Sequence, residues 1–105
     1  MTNSNERRYY CDVIKTFADK EAEKLFNRVF SRKLPPEIQK TVRYKLNVLD
    51  AAEAINDLRT PPSNHLEKLT GDRSEQYSIR INQQWRLCFV WHNNDAYDVE
   101  IVDYH

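Results

Sequence analysis

The last third of the chain alternates with period two in three consecutive runs, and this limits its fold more than any other feature. Tyr77, Ile79 and Ile81 fall on one side of the first run, with Ser78, Arg80 and Asn82 on the other. In the second run Trp85, Leu87, Phe89 and Trp91 oppose Arg86, Cys88 and Val90. In the third, Tyr97, Val99 and Ile101 alternate with Asp98, Glu100 and Val102. Successive side chains of a strand point to opposite faces, so each run presents one apolar face. Only Asn82-Gln83-Gln84 and His92-Asn93-Asn94-Asp95 separate the runs. Loops that short join antiparallel neighbours, so the three strands form a meander.

Helical periodicity dominates upstream. Asp19 is placed as an N-cap, and Ala22, Leu25, Phe26, Val29 and Phe30 form one stripe. Pro35-Pro36 ends that segment and suits the first turn of a second helix, with Glu37 near its positive end. Ile38, Val42, Leu46 and Leu49 form its stripe, and a short third helix or a continuation covers Ala51 to Leu58. Before both, Tyr10 to Phe17 alternates moderately and reads as a strand. His65 to Arg73 reads as a connector pinned by Leu66 and Leu69. The expected fold is a two-layer α+β domain, β-α-α-β-β-β, with a mainly antiparallel sheet and both helices on its apolar face. Residues 10–105 make a single domain and residues 1–9 a flexible N-terminal extension.

Composition narrows the function. One glycine, 40% hydrophobic and 30% charged residues describe an ordinary globular chain. The net charge is zero, so no whole-surface field attracts RNA or DNA. Residues 1–60 carry 12 Lys/Arg against 9 Asp/Glu, and residues 61–105 carry 4 against 7. Any anion site is therefore a local cluster. No leader is recognisable, which suggests the cytoplasm, and Cys11 and Cys88 are expected to stay unpaired. No metal-ligand spacing occurs, and no apolar run reaches the ~20 residues of a membrane span.

Arg80 and Arg86 flank a turn on the same sheet face. Their planar forks suit phosphate, although they would equally serve as solvated charges or as partners of Asp98 and Glu100. Asp103, Tyr104 and His105 follow directly after a strand. Histidine is suited to proton transfer near neutral pH, and tyrosine becomes a base only beside a cation. His65 reads as a turn residue, His92 as a solvated one, and Trp85 and Trp91 as core.

Four segments together resemble the HigB toxins, the killer-protein branch of the RelE/ParE superfamily. They are Leu69-Thr70-Gly71-Asp72-Arg73, Tyr77 to Asn82, Gln84 to Phe89, and Val99 to His105 with its terminal Asp-Tyr-His. Asp50-Ala51-Ala52 and Leu58-Arg59-Thr60-Pro61-Pro62 match the same branch. The resemblance covers roughly residues 10–105. It implies a toxin of a type II toxin–antitoxin module that cleaves messenger RNA in the ribosomal A site and stops translation. It also implies a HigA-type helix-turn-helix antitoxin whose complex with the toxin binds operator DNA, and no membrane role or cofactor.

Carried over position by position, the resemblance assigns Asp103, Tyr104 and His105 to the catalytic cluster and Arg73 and Arg86 to the RNA groove. Arg80 lies beside a position that is basic in some relatives and is Asn82 here. A connector histidine of some members aligns with Glu67, with His65 two residues away. Either that histidine is absent, or Glu67 replaces it, or His65 reaches in by another path. The candidate site is thus Glu67, Asp103, Tyr104 and His105 for catalysis, with Arg73, Arg80 and Arg86 on the RNA phosphates. A rival reading is a non-enzymatic toxin that captures a protein partner, as the ParE branch does.

Overall fold

The computed structural model describes residues 13–69 and 75–103. Helices α1 (Lys20–Phe26) and α2 (Pro36–Asp50) come first, then 3-10 turns at Ile55–Arg59 and Pro62–Asn64. Four strands follow: β1 (Glu67–Lys68), β2 (Gln76–Arg80), β3 (Trp85–His92) and β4 (Asp95–Asp103). They form one sheet in the order β1-β2-β3-β4, each neighbouring pair antiparallel. The expected meander is present, extended by a two-residue strand in what reads from sequence as connector.

Both helices cover the apolar face. Ile38, Val42, Leu46 and Leu49 of α2 and Leu25 of α1 are buried against Ile79, Ile81, Leu87, Phe89, Ala96 and Val99 of the sheet. Phe89 anchors this layer, stacked on Tyr77 at 6.4 Å and edge-on to Trp91 at 6.2 Å between centroids. Trp85 and Trp91 pack against the core without full burial. Cys88 is buried and forms no disulfide among the described residues, while Cys11 lies outside them.

α1 departs from the expected stripe. Asp19 does cap it, its Oδ1 accepting from Glu21 N at 2.9 Å, and Ala22 and Leu25 are buried. The helix ends at Phe26, however. Arg28 turns left-handed at φ 67°, and Arg28 N and Val29 N donate back to Leu25 O and Lys24 O. Val29 and Phe30 are therefore exposed, at 50% and 60%. A polar anchor beyond them competes for the chain. Ser31 is fully buried; its N donates to Gln39 Oε1 and its O accepts from Gln39 Nε2. Its hydroxyl donates to Glu21 at 2.5 Å.

The N-terminal segment makes no regular strand among the described residues. Ile14 and Phe17 form isolated parallel bridges to Ala96 and Val99 on the outer edge of β4. The C-terminal end of α2 fixes this segment, since Asp50 Oδ1 accepts from both Val13 N and Ile14 N at 2.9 Å. Pairing is interrupted because β4 bulges. The register passes from Cys88↔Glu100 to Val90↔Tyr97, leaving one extra residue on β4, with Asp98 at φ 54°. Thr16 Oγ1 accepts Asp98 N there. The bulge also changes the expected alternation. Ala96 and Val99 face the core, and Tyr97 lies with Val90 on the other side.

Candidate phosphate-binding site

The face of the sheet away from the helices carries the site. β1, β2 and β3 contribute to it, and the connector closes one end. The connector is held from below by a buried polar contact: Lys45 Nζ of α2 donates to Asn64 Oδ1. Asn64 Nδ2 in turn donates to Leu58 O and Thr60 O. Burial pushes the Lys45 ammonium below its usual pKa. His65 then turns left-handed at φ 45° and leads into β1, where Glu67 pairs with Ser78.

Arg80 and Arg86 stand directly opposite each other in the β2–β3 register. A cleft of ≈ 270 Å³ is lined by His65, Glu67, Arg80, Asn82, Gln83 and Arg86. Arg86 is largely enclosed, its side chain 11% exposed. Its Nε donates to Ser78 Oγ at 2.8 Å and its Nη2 to the His65 carbonyl at 2.5 Å. Glu67 Oε1 lies 3.9 Å from Nη2. The Arg80 side chain makes no hydrogen bond or ion pair among the described residues.

Opposed cross-strand side chains sit with Cβ atoms about 4.5–5.5 Å apart, and like charges at that distance destabilise a sheet. An anion between two guanidiniums reverses the sign of that interaction. Such a pair can receive a phosphate or a carboxylate. Among the described residues Arg86 makes an ion pair with Glu67, and Asp98 meets Thr16 at the other end of the sheet.

The remaining candidates divide. Glu67 reaches the cleft, and His65 contributes its carbonyl. Asp103 ends β4 opposite Trp85, on the side away from Arg86, and accepts from Gln84 Nε2 at 3.1 Å. Asn82 is committed to the turn, its Oδ1 accepting from Gln84 N and Trp85 N at 2.8 Å. Arg73, Tyr104 and His105 lie outside the described residues. Sequence reasoning missed Ser78 as a partner of Arg86. Period-two alternation was the available signal, since it places Ser78 and Arg86 on one face.

The model of a family described as the RelE-like toxin of type II toxin–antitoxin system HigB matches residues 15–105. The chain belongs to the HigB-like toxin family. A protein of Proteus vulgaris named Endoribonuclease HigB is 31% identical over 93 residues, 89% of this chain and all of that one. Toxin HigB-1 of Vibrio cholerae is 47% identical over 60 residues, 57% of this chain. An uncharacterized protein of Haemophilus influenzae is 46% identical over 64 residues, 61% of this chain. The matched stretch spans 63% of the length of the Vibrio relative and 63% of the Haemophilus one. Among the described residues no helix is long and apolar enough to cross a membrane.

Proposed function

We propose that the chain is an endoribonuclease that cleaves messenger RNA on the ribosome and so inhibits translation. The observation that carries this reading is the facing pair of Arg80 and Arg86 in a cleft beside Glu67. The name of the Proteus relative, Endoribonuclease HigB, supports it. The reaction is metal-independent transesterification. The 2′-hydroxyl loses its proton and attacks the adjacent phosphorus, and the bond from phosphorus to the 5′-oxygen breaks. The leaving oxygen takes a proton, which yields a 2′,3′-cyclic phosphate and a 5′-hydroxyl.

Each candidate has a role in that scheme. Arg80, Arg86 and Arg73 hold the phosphate and the charge that builds on its oxygens. His105 acts as acid or base, with Tyr104 as its partner or as a platform for a splayed base. Asp103 orients the terminal cluster from the end of β4. Glu67 offers a carboxylate at the connector position. Residues 10–105 act as one domain in the cytoplasm. The antitoxin is of the HigA helix-turn-helix type, and its complex with the toxin binds operator DNA.

Cell-free translation with primer extension on the message tests the reading. New 5′ ends inside codons, dependent on the toxin and suppressed by its antitoxin, are expected. Intact message in an inhibited reaction would overturn it and favour capture of a protein partner.

A further inference from the structure

We propose that Ser78 is a positioning residue that fixes which edge of Arg86 meets the RNA phosphate. The inference rests on the reading of Arg86 as a phosphate ligand. A guanidinium has five N–H donors: one on Nε and two on each terminal nitrogen. In this structure the Nε donor goes to Ser78 Oγ at 2.8 Å. Nη2 donates to His65 O at 2.5 Å and, more weakly, to Ser78 O at 3.4 Å. The side-on fork made by Nε and Nη2 is thus spent inside the protein. Among the described residues, only the two donors of Nη1 remain for a ligand.

Arg80 differs, because its whole fork is open among the described residues. The two arginines therefore divide the work. Arg80 grips the phosphate side-on, and Arg86 meets it from a fixed direction through Nη1. Ser78 is the hinge of this arrangement. It is fully buried, pairs with both Glu67 and Cys88, and shares a sheet face with Arg80 and Arg86. Without its hydroxyl, Arg86 keeps its charge and the Nη2 bonds to the His65 and Ser78 carbonyls but loses the Nε contact that, with them, fixes its plane. Catalysis by prearranged donors depends on that plane.

Two measurements test this. In the wild-type protein, the Arg86 Nε–H resonance should exchange slowly with solvent by NMR, and in Ser78→Ala it should exchange fast. An unprotected Nε–H in the wild type overturns the proposal, whatever the variant does. In ribosome-dependent cleavage, Ser78→Ala should lower kcat about tenfold with little change in KM, the size of one lost charge-assisted hydrogen bond. Ser78→Ala should cause no further loss once Arg86→Lys has removed the Nε donor. An equal loss in both backgrounds would mean that Ser78 acts independently of Arg86, and full activity of Ser78→Ala would mean that it does not act at all. Full activity of Arg86→Lys would instead remove the functional reading of Arg86, and the inference with it.

Discussion

Arg80 is the residue whose burden is plainest, because its neighbour across the hairpin carries the same charge. Without a ligand, that pairing costs stability. Arg80→Ala should therefore leave the melting temperature unchanged or slightly raised. It should lower ribosome-dependent cleavage by about 10²-fold, the usual cost of removing one prearranged donor. Lys40, exposed on α2, serves as the control, and Lys40→Ala should retain full cleavage. Equal loss in the two variants would place the groove elsewhere. Arg28 gives an independent test of the fold. It holds φ 67° at the C-terminal turn of α1, a conformation that favours glycine. Relief of roughly 1–2 kcal/mol of left-handed strain exceeds the about 0.4–1 kcal/mol that glycine's extra freedom costs in the unfolded chain, so Arg28→Gly should modestly stabilise the protein in urea unfolding. A loss of stability would contradict the described turn.

At the scale of elements, Asp19 joins α1 to the sheet. One carboxylate oxygen caps the helix and the other accepts Ile101 N of β4 at 3.1 Å. Asp19→Ala should cost about 1–2 kcal/mol, the upper range for a cap, since a strand N–H is also left without its acceptor. Glu21 does a similar service for the loop between the helices. The Ser31 hydroxyl bonded to it holds its carboxyl below the usual 4.5. A depressed folded pKa stabilises above the unfolded value and is lost as pH falls through the folded one. The gap in melting temperature between the wild type and Glu21→Gln should therefore be full well above pH 4.5 and close as pH falls below it. A gap that persists in acid would mean that Glu21 acts through packing. These elements also mark what was legible in the sequence. The stripe of α2, the cap at Asp19 and the shared face of Arg80 and Arg86 all follow from periodicity. The early end of α1 does not, because it depends on Ser31 meeting Gln39 across eight residues. Nor does the reversal at Tyr97, since one bulge residue changes the face of everything before it. The His65 carbonyl that grips Arg86 is backbone, and no residue type announces it.

For the molecule as a whole, charge decides how RNA must arrive. The net charge is zero, and residues 61–105, which include the sheet, carry 7 acidic against 4 basic residues. The site's two described cations therefore act locally, with Glu67 beside them. Each phosphate neutralised on a single strand contributes about 0.7 to the slope of log affinity against log salt. Two or three arginines predict a slope of only about 1.4 to 2, which is too little long-range attraction to collect RNA from solution at physiological salt. On the proposed reading, the ribosome would supply what the protein lacks, by presenting the message already held. Such positioning can replace much of the entropic barrier of a bimolecular encounter. Purified protein should therefore cleave naked RNA barely at all and cleave the same message clearly when ribosomes carry it. Raising salt should weaken binding to naked RNA with the shallow slope given above. Comparable rates on the two substrates, at equal protein and salt concentration, would show that the chain needs no such help.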